Sequence, residues 1–204
     1  INQTLTGNLA GLLPVSNQYG ILKINMQGTA RAILNNTVIV RTKLILTNGA
    51  LDLAGNSLTI CTGNPTAITR TNGYINSELA GGLTAGTVIW KNMNFGLHEF
   101  PFGTSASAYL PVRLFFLAGL TTDVSVSTYA ATTTDNEPLP MFNGIPVNFN
   151  AATESFPSTD IIDRWWVINA PGVMAGLTVS YEGAVNTIDA NYQTGQIGFL
   201  SWTG

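Results

Sequence analysis

The chain has 204 residues, of which 45% are apolar and only 9% are charged, and its formal net charge is −3. An ordinary soluble domain carries about 25% charged residues, so Thr, Ser, Asn and Gly must supply most of the polar surface. The eight basic residues form no stripe that could bind phosphates, and no apolar run approaches the ~20 residues of a membrane-spanning helix. We therefore expect no nucleic-acid partner and no membrane span in this segment.

Cys61 is the only cysteine, which excludes an intrachain disulfide framework and a Cys-rich zinc site. No HExxH, P-loop, GxSxG or EF-hand pattern occurs in the sequence. The chain begins at Ile1 without a signal peptide, and we interpret it as an internal piece of a longer protein. We predict no catalytic residue, no metal site and no cofactor.

In chain order, the first elements show apolar residues at every second position, in 22–26 and again in 40–44. The same alternation returns in 112–114, in 124–126 and in 177–181, whereas helical spacing is nearly absent. Clusters of Gly, Asn and Pro bound many of these runs, as strand ends require. The pattern predicts an all-β fold.

Residues 43–60 read KLILTNGALDLAGNSLTI and contain three apolar arms with a spacing of seven. In one interpretation Asn48-Gly49 is the turn of a two-residue hairpin, so that Leu46 faces Leu51 and Leu44 faces Leu53. In the other, the arms are successive sides of one coil of a β-solenoid, with a rung of roughly 21 residues and Asn/Gly corners. Both interpretations bury the same residues, and periodicity does not choose between them.

The character of the sequence changes near residue 95, where strands become longer and most of the prolines appear. We predict a short β-solenoid-like or hairpin-rich segment over 1–95, followed by an antiparallel β-sandwich over 96–204. The boundary is soft, and one continuous core is expected to cross it.

The densest polar cluster comprises Asp160, Asp163, Arg164, Trp165 and Trp166. Paired carboxylates beside tryptophans could serve glycoside hydrolysis, but proximity in sequence does not make carboxylates converge on a cleft. We expect Arg164 to pair with a carboxylate, while one tryptophan packs inward and its neighbour outward. The alternative is that an exposed Trp165 or Trp166 stacks on a sugar.

The second polar candidate is the segment around His98 and Glu99, which could contribute to a metal site only with further ligands. We expect His98 to be exposed or hydrogen-bonded at a strand that enters a turn. A solenoid polysaccharide lyase or hydrolase would need acids gathered on one face, and only Asp52 and Glu78 are available between residues 20 and 95. An enzyme is not predicted.

Several segments resemble, in order, a repeat type in large surface proteins of Bacteroidota that the type IX secretion system exports. They are LILTNGALDLAGNSLTI, AITRTNGYINSEL, HEFPFGTSASAYLPVRL, DRWWVINAPGVMAGLTVSYEG and IGFLSWTG. The resemblance covers roughly residues 35–204; its motifs are short, and their order is its specific part. The doubled Trp165-Trp166 and the Pro-rich 135–158 segment depart from it.

The resemblance implies a non-catalytic structural or adhesive module of a secreted or cell-surface protein, with neighbouring modules of the same polypeptide and the secretion machinery as partners. The alternative is a carbohydrate-binding module, in which Trp165, Trp166 and Tyr109 offer flat apolar faces to surface glycans.

Overall fold

The computed structural model describes residues 3–7, 11–12, 17–28, 30–78, 85–104, 108–117, 121–130, 141–142, 145–146, 164–171 and 174–179. Within these ranges the chain forms strands and no helix, so the predicted all-β class is confirmed. The strands, in chain order, are β1 Gln3–Gly7, β2 Gly11–Leu12, β3 Gln18–Met26, β4 Arg31–Ile33, β5 Val38–Asn48, β6 Ala50–Asp52, β7 Ser57–Ile60, β8 Ile68–Arg70, β9 Tyr74–Asn76, β10 Thr87–Met93, β11 Gly96–Phe100, β12 Val112–Phe116, β13 Thr122–Ala130, β14 Met141–Phe142, β15 Ile145–Pro146, β16 Arg164–Asn169 and β17 Met174–Val179.

Two of the sheets are built from strands that alternate along the chain. The larger has eight strands in the order β1-β3-β5-β7-β10-β13-β16, and β8 also pairs with β5. The smaller has the order β2-β4-β6-β9. A three-stranded sheet has the order β11-β12-β17, and β14 pairs with β15. The chain therefore passes repeatedly from one sheet to the other in its first half.

Pairing between neighbouring strands in this first half is parallel. Leu22 on β3 lies opposite Leu44 on β5, and Val38 on β5 lies opposite Leu58 on β7. The strands of the smaller sheet are also parallel from β2 to β9. Parallel neighbours need a long connection. Here the connection between two paired strands, such as β3 and β5, runs through a strand of the other sheet.

The hairpin interpretation of Asn48-Gly49 is wrong. Strands β5 and β6, which flank this turn, lie in different sheets and do not pair with each other. Leu46 lies opposite Ile24 and Arg70, and Leu51 lies opposite Ala32 and Ile75. The turn bends the chain from one sheet into the other because both strands find parallel partners from other parts of the chain.

Gly49 is required at this bend for two physical reasons. Its φ of +74° lies in the left-handed region that side chains disfavour. A Cβ there would also lie 2.6 Å from the Cβ of Met26 and 2.9 Å from the carbonyl oxygen of Ala30. The Asn-Gly pair therefore permits a sharp turn that packs directly on the preceding turn.

Asparagines at the bends connect successive passes of the chain. Asn48 donates from Nδ2 to the carbonyl oxygen of Met26 at 2.7 Å, and Asn56 donates from Nδ2 to that of Leu34 at 3.0 Å. Both bonds join residues 22 positions apart. From the sequence, these asparagines were expected only to favour the turn geometry. In the structure their side chains also bind the preceding pass of the chain.

The strands that follow β10 pair in antiparallel fashion. Strand β13 lies antiparallel to β10, β16 lies antiparallel to β13, and both extend the large sheet. Strand β12 lies antiparallel to β11 and to β17. The change from parallel to antiparallel pairing falls at β10, the strand that pairs with β7 on one side and β13 on the other.

A single apolar cluster extends through the described residues, from Tyr19 on β3 to Val126 on β13. It includes the four leucines at positions 44, 46, 51 and 53, all fully buried, as both interpretations of that stretch required. Trp90 and Phe100 join it from β10 and β11. The division into segments 1–95 and 96–204 stays a prediction, because common packing does not define where a domain ends.

The described residues include no helix with the length and apolar character needed to cross a membrane.

Leu51→Asp is expected to unfold the chain or lower its free energy of unfolding by more than about 3 kcal/mol. The substitution removes a fully buried leucine from β6 and puts an unpaired charge in its place. Leu97→Asp is the matched control, because Leu97 is 54% exposed and its loss should cost about 0.5 kcal/mol or less. Urea denaturation compares the two, and similar midpoints would refute the placement of Leu51.

Asn56→Ala is expected to lower the free energy of unfolding by about 1–2 kcal/mol, because it leaves the carbonyl oxygen of the buried Leu34 without this partner. Asn36→Ala, at an exposed bend, is the control and should change stability by about 0.5 kcal/mol or less. Equal denaturation midpoints for the two variants would argue against a connecting role for Asn56.

Candidate functional site

Four side chains meet on the outer side of the three-stranded sheet and form what we call the Tyr109 cluster: Arg70, Glu99, Tyr109 and Arg113. The Tyr109 hydroxyl donates to Oε1 of Glu99, and Nε of Arg113 donates to Oε2 of the same carboxylate at 2.6 Å. The guanidinium carbon of Arg70 lies 3.6 Å from the centre of the Tyr109 ring. This is a cation–π contact joined to an ion pair.

Strand register explains why these residues meet. Glu99 on β11 and Arg113 on β12 are direct partners in an antiparallel pair, so their side chains emerge on the same face. Arg70 is the last residue of β8, and its Nε donates to the carbonyl oxygen of Gly73 at 2.7 Å. Tyr109 is fixed by a backbone bridge to Gly103. Each member is thus held by backbone structure as well as by its neighbours.

The electrostatics of the cluster keep the phenol protonated. Burial, the hydrogen bond to Glu99 and the charge of that carboxylate raise the pKa of Tyr109, against the opposing effect of Arg70 and Arg113. The hydroxyl is therefore a hydrogen-bond donor at neutral pH. Tyr109 was predicted from the sequence, whereas its two cationic neighbours were not, because their convergence depends on strand register.

Trp165 and Trp166 lie on β16, in the large sheet, and successive residues of a strand face opposite sides. Trp166 is partly buried and packs against the core, and its buried Nε1 has no hydrogen-bond partner among the described residues. Trp165 is half-buried, and its carbonyl oxygen accepts a bond of 2.9 Å from the Thr128 hydroxyl. The predicted sugar-binding role of these tryptophans stays a prediction.

Arg164 begins the same strand and is held in a buried polar network. Its side chain is 1% exposed, and its Nη2 lies 2.5 Å from Oε1 of Glu78. Its Nη1 donates to the hydroxyl of Thr128 at 3.1 Å, and Ser77 donates to the carbonyl oxygen of Thr128. We expected a carboxylate partner, and the structure supplies one that is 86 positions away in sequence. Asp160 and Asp163 lie outside the described residues.

The acids considered for a polysaccharide lyase or hydrolase are each engaged in separate ion pairs. Asp52 accepts from Nη1 of Arg31 at 2.7 Å on neighbouring parallel strands, and Glu78 is bound by Arg164. In the described part of the chain, no group of three or more His, Cys, Asp or Glu side chains could hold a metal ion.

His98 is buried on β11 and packs edge-on against Trp90, with ring centres 4.9 Å apart. Its Nε2 lies 2.9 Å from the carbonyl oxygen of Gly63, and its Nδ1 lies 3.3 Å from that of Gly96. The shorter contact assigns the proton of the neutral ring to Nε2. Burial lowers the pKa of His98, although the two carbonyl groups act in the opposite direction.

The loop that His98 contacts is pressed against β10. Nε1 of Trp90 donates to the carbonyl oxygen of Thr62 at 2.7 Å, next to the Gly63 carbonyl that His98 binds. A Cβ on Gly63 would lie 1.6 Å from the carbonyl oxygen of Asn92, so only glycine fits there. His98 therefore has a structural role: it fastens this loop to the core.

Comparison with models of known protein families, with curated proteins and with solved structures finds no match. The resemblance to surface repeats of Bacteroidota thus rests on the sequence motifs alone.

Acidification from pH 7.5 to 5.5 is expected to lower stability through His98. Its pKa is below the ordinary 6.5 in the folded state, so the unfolded chain binds the proton more tightly. The stabilising contribution is complete above pH 6.5 and is lost as the pH falls toward the folded-state pKa, at a rate of up to about 1.4 kcal/mol per pH unit.

The measurement is urea denaturation at several pH values, with His98→Gln as the comparison. His98 is the only histidine in the chain, and the pKa of Asp123, lowered first of all by its hydrogen bond to Lys91, places that group below this window. The variant should therefore lose most of the pH dependence. An unchanged slope in His98→Gln would assign the effect to another group.

Proposed function

We propose that the chain is a non-catalytic structural or adhesive module of a large secreted or cell-surface protein, exported by the type IX secretion system. The observation that carries the proposal is the bond from a bend asparagine to the preceding pass, as in Asn48 to Met26 and Asn56 to Leu34. Such bonds connect one pass of the chain to the next and support an extended scaffold.

In this proposal the parallel first half is a short solenoid-like stack in which each pass covers the apolar face of the previous one. The antiparallel strands form a sandwich-like second half that closes the downstream end of the stack. Support comes from β13 and β16, which extend the large sheet beyond its last parallel strand β10. The partners are then neighbouring modules of the same polypeptide and the secretion machinery.

A low charge content is compatible with this role. Three of the described ion pairs bridge separate strands: Arg31 with Asp52, Lys91 with Asp123 and Arg113 with Glu99. Charges placed in this way connect neighbouring strands of a scaffold. The proposed location is extracellular, at the cell surface.

The second candidate function is a carbohydrate-binding module, and the Tyr109 cluster is the observation that favours it. Tyr109 is held rigidly by Glu99 and by the Arg70 guanidinium on its ring. A fixed aromatic ring beside charged hydrogen-bond donors is suited to sugar hydroxyl and carboxylate groups. Trp165 would supply a separate aromatic surface on β16, on the face opposite to Trp166, which packs against the core.

The scaffold proposal is tested on the native protein in the cells that produce it. Peptide mapping by mass spectrometry should place this chain within a longer polypeptide that contains further modules. Protease added to intact cells should remove its peptides from the surface, while a cytoplasmic marker stays intact, and disruption of type IX export should retain the protein inside. Protease resistance on intact cells together with recovery in the cytoplasmic fraction would overturn the proposal.

A further inference from the structure

The two arginines of the Tyr109 cluster each make a single hydrogen bond with the residues that the structure describes, and in both it is donated by Nε. Nε of Arg70 donates to the carbonyl oxygen of Gly73, and Nε of Arg113 donates to Glu99. The Nη1 and Nη2 atoms of both side chains have no hydrogen-bond partner among the residues that the structure describes. These paired nitrogens form the planar edge that binds an oxyanion with two parallel hydrogen bonds.

The charge of the cluster is positive even though the chain as a whole is acidic. Both oxygens of Glu99 are already engaged, one by Tyr109 and the other by Arg113. The cluster thus contains two guanidinium groups and a single carboxylate, in a chain of net charge −3. Three other cationic side chains, Arg31, Lys91 and Arg164, each pair with a carboxylate of their own. A positive charge is therefore available to a ligand at this cluster.

An exposed apolar strip borders the arginines on the same face of the sheet. Leu97 precedes Glu99 by two positions on β11 and is the direct partner of Phe115, two positions after Arg113 on β12. Phe95 packs edge-on against Phe115 with ring centres 5.9 Å apart, and Phe95 and Leu97 are more than half exposed. Exposed apolar side chains therefore border the ion pair of Glu99 and Arg113.

We propose that this face binds an acidic polysaccharide, with its carboxylate or sulfate groups on Arg70 and Arg113 and the apolar sides of its sugar rings on the Phe95–Leu97 strip. Such a polymer repeats both chemistries along its length. A peptide strand would instead bind through backbone hydrogen bonds at a sheet edge or in a groove, whereas the groups offered here are side chains. The inference rests on the carbohydrate-binding candidate and not on the scaffold proposal.

The experiment measures binding of the whole chain to polygalacturonate, dextran sulfate and neutral dextran by isothermal titration calorimetry. One or both acidic polymers should bind, neutral dextran should not, and the affinity should fall as salt is raised. Arg70→Gln and Arg113→Gln should each weaken binding roughly tenfold or more. Arg41→Gln is the matched control, because Arg41 lies on β5 and contacts Gln18; it should bind as the parent chain does.

Glu99→Gln separates ligand binding from a merely structural role. The variant can accept from Nε of Arg113 with its amide oxygen and donate from its amide nitrogen to the hydroxyl oxygen of Tyr109. It removes the one negative charge of the cluster, so binding to the acidic polymer should tighten. A cluster that serves folding alone would give lower thermal stability with no gain in affinity. The proposal is overturned if no acidic polymer binds, if Arg41→Gln weakens binding as much as Arg70→Gln, or if poly-glutamate binds as tightly with the same arginine dependence. None of these outcomes bears on whether the chain is a surface scaffold.

Discussion

Parallel backbone pairing between β3 and β5 places Leu22 beside Leu44 and Ile24 beside Leu46, and all four side chains are fully buried. This register has to be kept in two sheets at once, because the chain moves from one sheet to the other at each bend. A slip of one residue would turn every apolar side chain of a strand to the opposite face. The bends must therefore have fixed length and geometry, which explains the close packing at Gly49 and the asparagine bonds to the preceding pass.

The same requirement reaches the second half through β10. This strand pairs in parallel with β7 and in antiparallel fashion with β13, so it belongs to both pairing regimes. Its Trp90 binds the Thr62 carbonyl and packs against His98 and Phe100 of the following strand. The buried indole of Trp90 on β10 thus contacts both the loop at Thr62 and strand β11. A change in pairing direction is thereby accommodated without a break in the apolar core.

Charge is scarce, and its placement shows two different uses. Arg164, with a side chain that is 1% exposed, is neutralised by Glu78 and hydrogen-bonded to Thr128, as a buried cation must be. In the Tyr109 cluster the ion pair is more than one-third exposed on both sides, and each guanidinium keeps two nitrogens without a protein partner in the described part of the chain. The first arrangement serves the interior, and the second leaves hydrogen-bonding capacity at the surface.

Local sequence patterns were enough to predict the all-β class, the burial of the leucines in 44–53 and the positions of the bends, because period-two alternation and Asn-Gly pairs are local properties of the chain. Tyr109 was also selected from sequence, since an aromatic ring on a β scaffold is visible without coordinates. The folded structure was needed to show that β5 and β6 belong to different sheets, because a hairpin and a bend between sheets have the same apolar pattern. It likewise decided that Arg70, Glu99 and Arg113 meet at Tyr109 and that Glu78 neutralises Arg164, since these contacts depend on register between distant strands, which no local pattern encodes.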